Sequence, residues 1–283
     1  MKTTRAPRRS NGESRSSAVA GALLRQWRNA RHLSQLALAL EAGISARHLC
    51  FVETGRSQPS RQMIQLLAEV MDVPLRERNA LLLAAGFAPT FRESAIDLAT
   101  EDLAPVRSAL AAMLGHHEPF PAVVMNRHWD VLMTNEGARR FFAFLRNGPP
   151  ADGAVNVLRM MFSPHGLRPF VANWKATAET LIKRVHREAV GGVLDEETSN
   201  LLDEILHYPG IPPGWRTRSF LAPQLPVIPV EFVKGGMTFS FFSAVTTLGT
   251  PQDVLLQEIR IESFFPLDDS TRRNVDELGG SSD

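Results

Sequence analysis

Residues 24–73 read LRQWRNARHLSQLALALEAGISARHLCFVETGRSQPSRQMIQLLAEVMDV, and the breaks in that string set the architecture of the first third of the chain. Ser34, Ser45 and Ser60 each precede a run of helix formers, the place where a side-chain oxygen accepts from the open amides of a first turn. Gly43 offers the left-handed residue that a tight turn between two helices demands. Working outward, the helical pattern runs from residue 18 to 87 and is broken at Ser34, at Gly43, across 55–60 and at Pro74, so five helices are expected. Leu38, Ala39, Ala42, Leu49, Val52, Ile64, Leu67, Ala68 and Met71 recur at helical spacing and are assigned to one inward face.

Charge divides the 283 residues unevenly. Residues 1–90 hold 13 Lys and Arg against 6 Asp and Glu, leaving 18 against 24 for the remainder, a net +7 against −6. A basic module joined to an acidic one suits a polyanion partner for the first part alone. Cys50 is the single cysteine, so no intramolecular disulfide forms and a Cys-rich zinc site is excluded. Together with an N-terminus that lacks an apolar stretch, and no run long enough to span a bilayer, this predicts a cytoplasmic protein without membrane segments. Residues 1–17 are polar and basic, with Arg5, Arg8 and Arg9 free to touch phosphates, and are expected to form a disordered arm, as are residues 269–283 at the other end.

Arg28, Ser34-Gln35, Gly43, Ser45, Glu53-x-Gly55 and Pro59-Ser60 stand at the intervals of a phage-repressor-type helix-turn-helix, and the string resembles the XRE family of transcriptional regulators. The resemblance implies that the helix opening after Ser45 enters the major groove of double-stranded DNA. A helix two turns long, carried on a tight Gly turn, has its first residues free to enter a groove about 12 Å wide. With Leu49 and Val52 inward, Ala46, Arg47, Cys50 and Phe51 point outward. Arg47 suits guanine O6 and N7, and Ala46 and Phe51 suit a thymine methyl. Gln35 is expected on a phosphate or a nearby base edge, His48, Arg56 and Arg61 on phosphates, and Ser45 is counted with them among the DNA-binding residues. Arg28 and Glu53 match positions that the family joins in a partly buried ion pair. Cys50 reads as a passive small residue rather than a redox switch, having no resolving partner. Leu36 and Leu40 fall where the family places polar residues. They are read either as ordinary surface leucines or as contacts for the second domain or a partner subunit.

Beyond residue 90 a helical connector (91–118) leads into a different pattern. Two short strands (122–125, 129–134) are followed by helices near 136–145, 155–162, 169–190 and 195–206, then by three strands near 224–233, 236–248 and 254–264. In the last, Leu255, Ile259 and Ile261 alternate with Glu258, Arg260 and Glu262, which predicts a sheet wet on one face. Gly249-Thr250-Pro251-Gln252 is expected to turn between two strands. The segments NRHWDVLMTNEGARRFF, NVLRMMFSPHGLRPFVANWKATA, TTLGTPQDV and LQEIRIESFFP resemble the ligand-binding domain of MmyB-like regulators. That resemblance implies a PAS-like fold behind an XRE-type module and an apolar, fatty-acid-like effector.

The expected fold is therefore α+β: an all-α five-helix helix-turn-helix domain at 18–90, then a PAS-like domain with an antiparallel sheet at 119–268. Trp129, Phe141, Phe142, Phe162, Trp174, Phe239, Phe241 and Phe264 are candidates to line an apolar pocket, although such a stripe equally serves as core. Arg168 and Arg260 are candidates to meet a carboxylate, or else surface ion pairs. His116, His117, His128, His165, His186 and His207 show no metal-ligand spacing, and neither GxSxG nor a Gly-rich phosphate loop occurs, so no enzyme, metal or cofactor is predicted. The expectation is a sequence-specific, homodimeric DNA-binding regulator with a ligand-sensing C-terminal domain. The alternative is a regulator whose second domain is a protein-interaction or dimerisation platform with no ligand.

Overall fold

The computed structural model describes residues 11–92, 98, 100–146, 155–188, 195–212, 215, 229–249 and 251–280, with side chains from residue 16 onward. The chain falls into two compact units, one of residues up to Ser94 together with Pro251–Gln257, the other of most of the remainder.

In the first unit the five expected helices are present: α1 (Asn11–Ala30), α2 (Gln35–Glu41), α3 (Ala46–Glu53), α4 (Arg61–Val70) and α5 (Leu75–Ala84). The serine caps act as the sequence predicts. Ser34 accepts from the Ala37 amide at 3.0 Å, Ser45 from His48 at 3.1 Å and Ser60 from Met63 at 3.2 Å. Gly43 takes φ +65°, and Ile44 N–H closes the turn on Ala39 O at 2.9 Å. All nine residues assigned to the inward face are buried, with Leu24, Trp27, Leu81 and Leu82 completing the core. Helices α1 and α3 approach so closely that a Cβ added at Gly21 would overlap Val52 O and the Glu53 backbone. Helix α1 begins at Asn11, so the disordered arm expected through residue 17 is corrected from that point; Arg5, Arg8 and Arg9 lie outside the described residues.

The second unit opens with α6 (Ala104–His116) and continues β1 (Ala122–Met125), β2 (Val131–Thr134), α7 (Glu136–Arg146), α8 (Val157–Phe162), α9 (Trp174–Glu188), α10 (Glu196–Leu206), β3 (Val230–Lys234), β4 (Met237–Thr247), β5 (Arg260–Pro266) and α12 (Asp269–Gly280), while α11 (Val254–Glu258), between β4 and β5 in sequence, belongs up to Gln257 to the first unit. The five strands form one antiparallel sheet in the order β2-β1-β5-β4-β3, giving the α+β domain expected. Asparagines fix the joints between strands and helices. Asn135 Oδ1 accepts from Ala122 at 3.0 Å and from Ala138 at 2.8 Å, tying β1 to the first turn of α7. Asn156 Oδ1 caps α8 while its Nδ2 donates to Asp130 Oδ1 at 2.8 Å.

Two expectations are corrected here. The strand read at 254–264 is a short helix, α11, followed by β5, so β4 and β5 are not joined by a tight turn at 249–252. Within the first unit Gln257 Oε1 accepts the Leu75 amide at 2.7 Å. The tail expected to be disordered from residue 269 forms α12, because Asp268 caps its first turn (Thr271 N–H at 2.7 Å), and Thr271 Oγ1 and Asn274 Nδ2 bond to the backbone of β4.

Candidate functional site

The first site is the N-terminal turn of α3. Arg47 is exposed there, and its guanidinium carbon lies 5.5 Å from the centre of the half-buried Phe51 ring. His48 and Cys50 are half-buried, Arg56 is exposed, and Ser45 is exposed but spends its hydroxyl on the cap. Three assignments need restating. Ala46 does not point fully outward; it is half-buried and packs on the core. Arg61 donates to Thr90 Oγ1 at 3.0 Å and lies over the Phe87 ring. Gln35 donates to Glu53 Oε2 at 2.8 Å, so its amide is engaged within the fold. Leu36 and Leu40 are 61% and 72% exposed.

Glu53 holds this turn in place. Its side chain is fully buried, and it receives Arg28 Nε at 2.7 Å on Oε1 and Arg28 Nη2 at 3.0 Å on Oε2. Arg28 also donates to Leu33 O at 2.8 Å, and Arg25 to Glu53 O at 2.9 Å. The Glu53 hydrogen bond raises the Arg28 pKa against the opposing effect of burial. One carboxylate thus joins α1, the start of α2 and the end of α3.

The second site lies in the other unit. A cavity of about 740 Å³ opens between one face of the sheet and helices α7, α8 and α9. Phe142, Met160, Leu181, Val230, Phe232 and Phe264 give it an apolar lining, and Glu136, Arg139, Arg140 and Arg146 from α7 also reach it. A row of residues in register across four strands, Thr134, Val123, Glu262 and Val245, forms its floor. Glu262, which the alternation assigned to a wet face, is buried there and bonded to Arg184 Nη1 at 3.0 Å.

Of the pocket candidates, Phe142 and Phe264 line the cavity. Phe141, Phe239 and Phe241 belong instead to the packed core: Phe141 meets Phe232, Phe239 and Phe241 edge-on at 5.2–5.4 Å, a geometry that uses up their faces. Phe162 is buried against Trp174, with ring centres 5.1 Å apart, and Trp129 is buried at φ +69° under the Arg184 guanidinium at 4.4 Å. Arg168 donates to Pro209 O and Gly210 O over the Trp174 ring, and Arg260 donates to Arg127 O at 3.4 Å, so neither is among the cavity residues. The sequence reading missed Arg184 and Glu262. Their only signal was two charges inside otherwise amphipathic segments.

His128, Asp130 and Glu197 lie within metal-ligand reach of one another. Two of the three already engage neighbours through their donor atoms: the His128 ring nitrogens face Asp195 at 3.2 Å and Glu197 itself at 3.1 Å, and Asp130 accepts from Asn126 and Asn156. Burial alone would raise the Asp195 pKa, but hydrogen bonds from Arg127 and Thr198 outweigh it and hold the carboxyl well below the usual range. This is an ion-pair network joining the start of α10 to the turn after β1.

Comparison with known proteins agrees with this division. The family model of the MmyB-like transcription regulator ligand binding domain matches residues 106–278, and a helix-turn-helix model matches residues 24–78. No curated protein matches the chain. A solved structure described as an RNA-binding light-oxygen-voltage receptor aligns with 96% of this chain and 68% of its own, at 12% identity and a TM-score of 0.28, too slight a likeness to bear on fold or function. Among the described residues no helix is long and apolar enough to cross a membrane.

Proposed function

Since this chain belongs to the MmyB-like transcription regulators, DNA-binding proteins with a ligand-binding domain, we propose that it acts in the cytoplasm as a homodimer on a near-palindromic site, with Arg47 reading a base edge and a fatty-acid-like effector in the cavity. The observation that carries the DNA reading is the exposed Arg47 on the first turn of a capped α3 whose far end is fixed by buried Glu53. A rigidly held helix N-terminus with one free guanidinium suits the bidentate recognition of guanine. Arg56 and His48 contact phosphates, and a two-fold protein doubles what one small module contributes. A largely apolar cavity of about 740 Å³ supports a ligand in the second domain over a solid interaction platform. The effector acts by binding one arrangement of the two DNA-reading modules more tightly than the other.

The test is fluorescence anisotropy on a set of operator-length duplexes. Arg47→Ala lowers discrimination at one base position by about 1–3 kcal/mol, whereas Arg56→Ala weakens all sequences alike and reduces the salt slope by about one. An Arg47→Ala profile that keeps the wild-type base preference removes Arg47 from the readout. A flat titration of the wild type at low ionic strength removes DNA binding altogether.

A further inference from the structure

Glu262 lies at the centre of the sheet, flanked in register by Val123 of β1 and Val245 of β4, and all three line the cavity. Its side chain is 8% exposed. Arg184 Nη1 reaches Oε2 at 3.0 Å, and among the described residues no donor reaches Oε1. Arg184 is itself held, its guanidinium 4.4 Å over the buried Trp129 ring. Taking such a pair out of water is costly, and apolar residues of similar volume would hold α9 to the sheet as well or better. A pair kept only for that purpose has no need to present an oxygen to an aliphatic cavity.

We propose that the Arg184–Glu262 pair is the polar end of the ligand site, and that the effector is an aliphatic chain bearing a hydroxyl at its inserted end, donated to the Glu262 carboxylate. The proposal rests on the cavity being a ligand site. Arg184 already balances Glu262, so a second carboxylate brought to this point would face a like charge in a poorly solvated space. Any acidic head group belongs instead among Arg139, Arg140 and Arg146 of α7, with Glu136 the one acid beside them at the cavity. A terminal methyl would leave Oε1 without a donor, whereas a hydroxyl satisfies it.

The probes are dodecanoic acid and 12-hydroxydodecanoic acid, matched in length and in head group, titrated calorimetrically into the full-length protein below their micellar range. The wild type binds the hydroxy acid at least tenfold more tightly, the scale of one hydrogen bond to a charged acceptor net of competition from water. Glu262→Gln, which keeps the shape but not the charge, reduces that preference to threefold or less. The double variant Arg184→Met/Glu262→Leu, which strands no charge, abolishes or reverses it. Equal affinities of the two acids for the wild type overturn the subsite and leave the ligand reading standing. A preference unchanged in both variants also overturns it, since the pair is then only structural. If neither acid binds, the aliphatic-ligand reading falls and this proposal with it.

Discussion

Glu53→Ala is the sharpest available test of how α3 is held against α1 and α2. The side chain is fully buried and takes two hydrogen bonds from Arg28, itself 11% exposed, and one from Gln35. Truncation leaves Arg28 with Leu33 O but no counter-charge, the situation that costs about 3–5 kcal/mol when one partner of a buried pair is removed. Glu53→Gln keeps an acceptor oxygen and the volume, so its cost falls below that of alanine, to about 1–3 kcal/mol. Removing both charges with Arg28→Met/Glu53→Leu recovers most of the loss, because no charge then has to be taken out of water without a partner. Native-state hydrogen exchange on peptides from α1 and α3 reads the first unit apart from the second, whose stability stays at the wild-type value. A Glu53→Ala cost under about 1 kcal/mol, or a double variant as damaged as the sum of the singles, refutes the claim that charge compensation fixes α3.

Gly21→Ala separates helix propensity from packing by sign alone. In a free helix alanine gains up to about 1 kcal/mol over glycine, but here the added Cβ meets the α3 backbone, so the variant is destabilised by about 1–3 kcal/mol in urea unfolding, and a stabilised variant would sink the close-approach argument. Asp195 has a depressed pKa in the fold, so its stabilising effect is present above the ordinary aspartate pKa of about 3.9 and is lost as pH falls toward the folded value. Asp195→Asn therefore flattens the decline in melting temperature on acidification, and a slope identical to wild type counts against the Arg127 pair. Tyr208, the only tyrosine, has its pKa pushed up to about 12 by burial and by donation to Glu204 at 2.7 Å, so ultraviolet titration of the folded protein finds a single phenol ionising two units above its unfolded value. A midpoint at the ordinary value of about 10 contradicts that geometry.

The first unit was legible because its instructions are local. A serine before a helix, a glycine in a tight turn and an apolar face at helical spacing each act over fewer than ten residues, and all five helices followed from them. The second unit was legible in its strands and most of its helices, and failed where long-range pairing outweighs local pattern. Helix α12 buries only Thr271 and Val275, so its sequence offers little apolar signal; it is fixed by polar side chains on the β4 backbone, partners about thirty residues away.

Glu262 shows why the cavity was harder to read than the fold. Strand alternation reports which residues share a face, and within β5 it set Arg260 and Glu262 on one side, although Glu258, read with them, lies in α11. It says nothing about whether that face meets bulk water or a cavity roofed by helices, because the distinction depends on Arg184, 78 residues earlier on α9. Aromatic content misleads in the opposite direction. Phe141, Phe239 and Phe241 pack against one another because edge-to-face contacts among rings favour a filled core, which leaves the cavity mostly to aliphatic side chains that no composition count singles out. A pocket in a domain of this kind is therefore better sought at a charged residue that alternation sets in the middle of a sheet than along its richest stripe of phenylalanines.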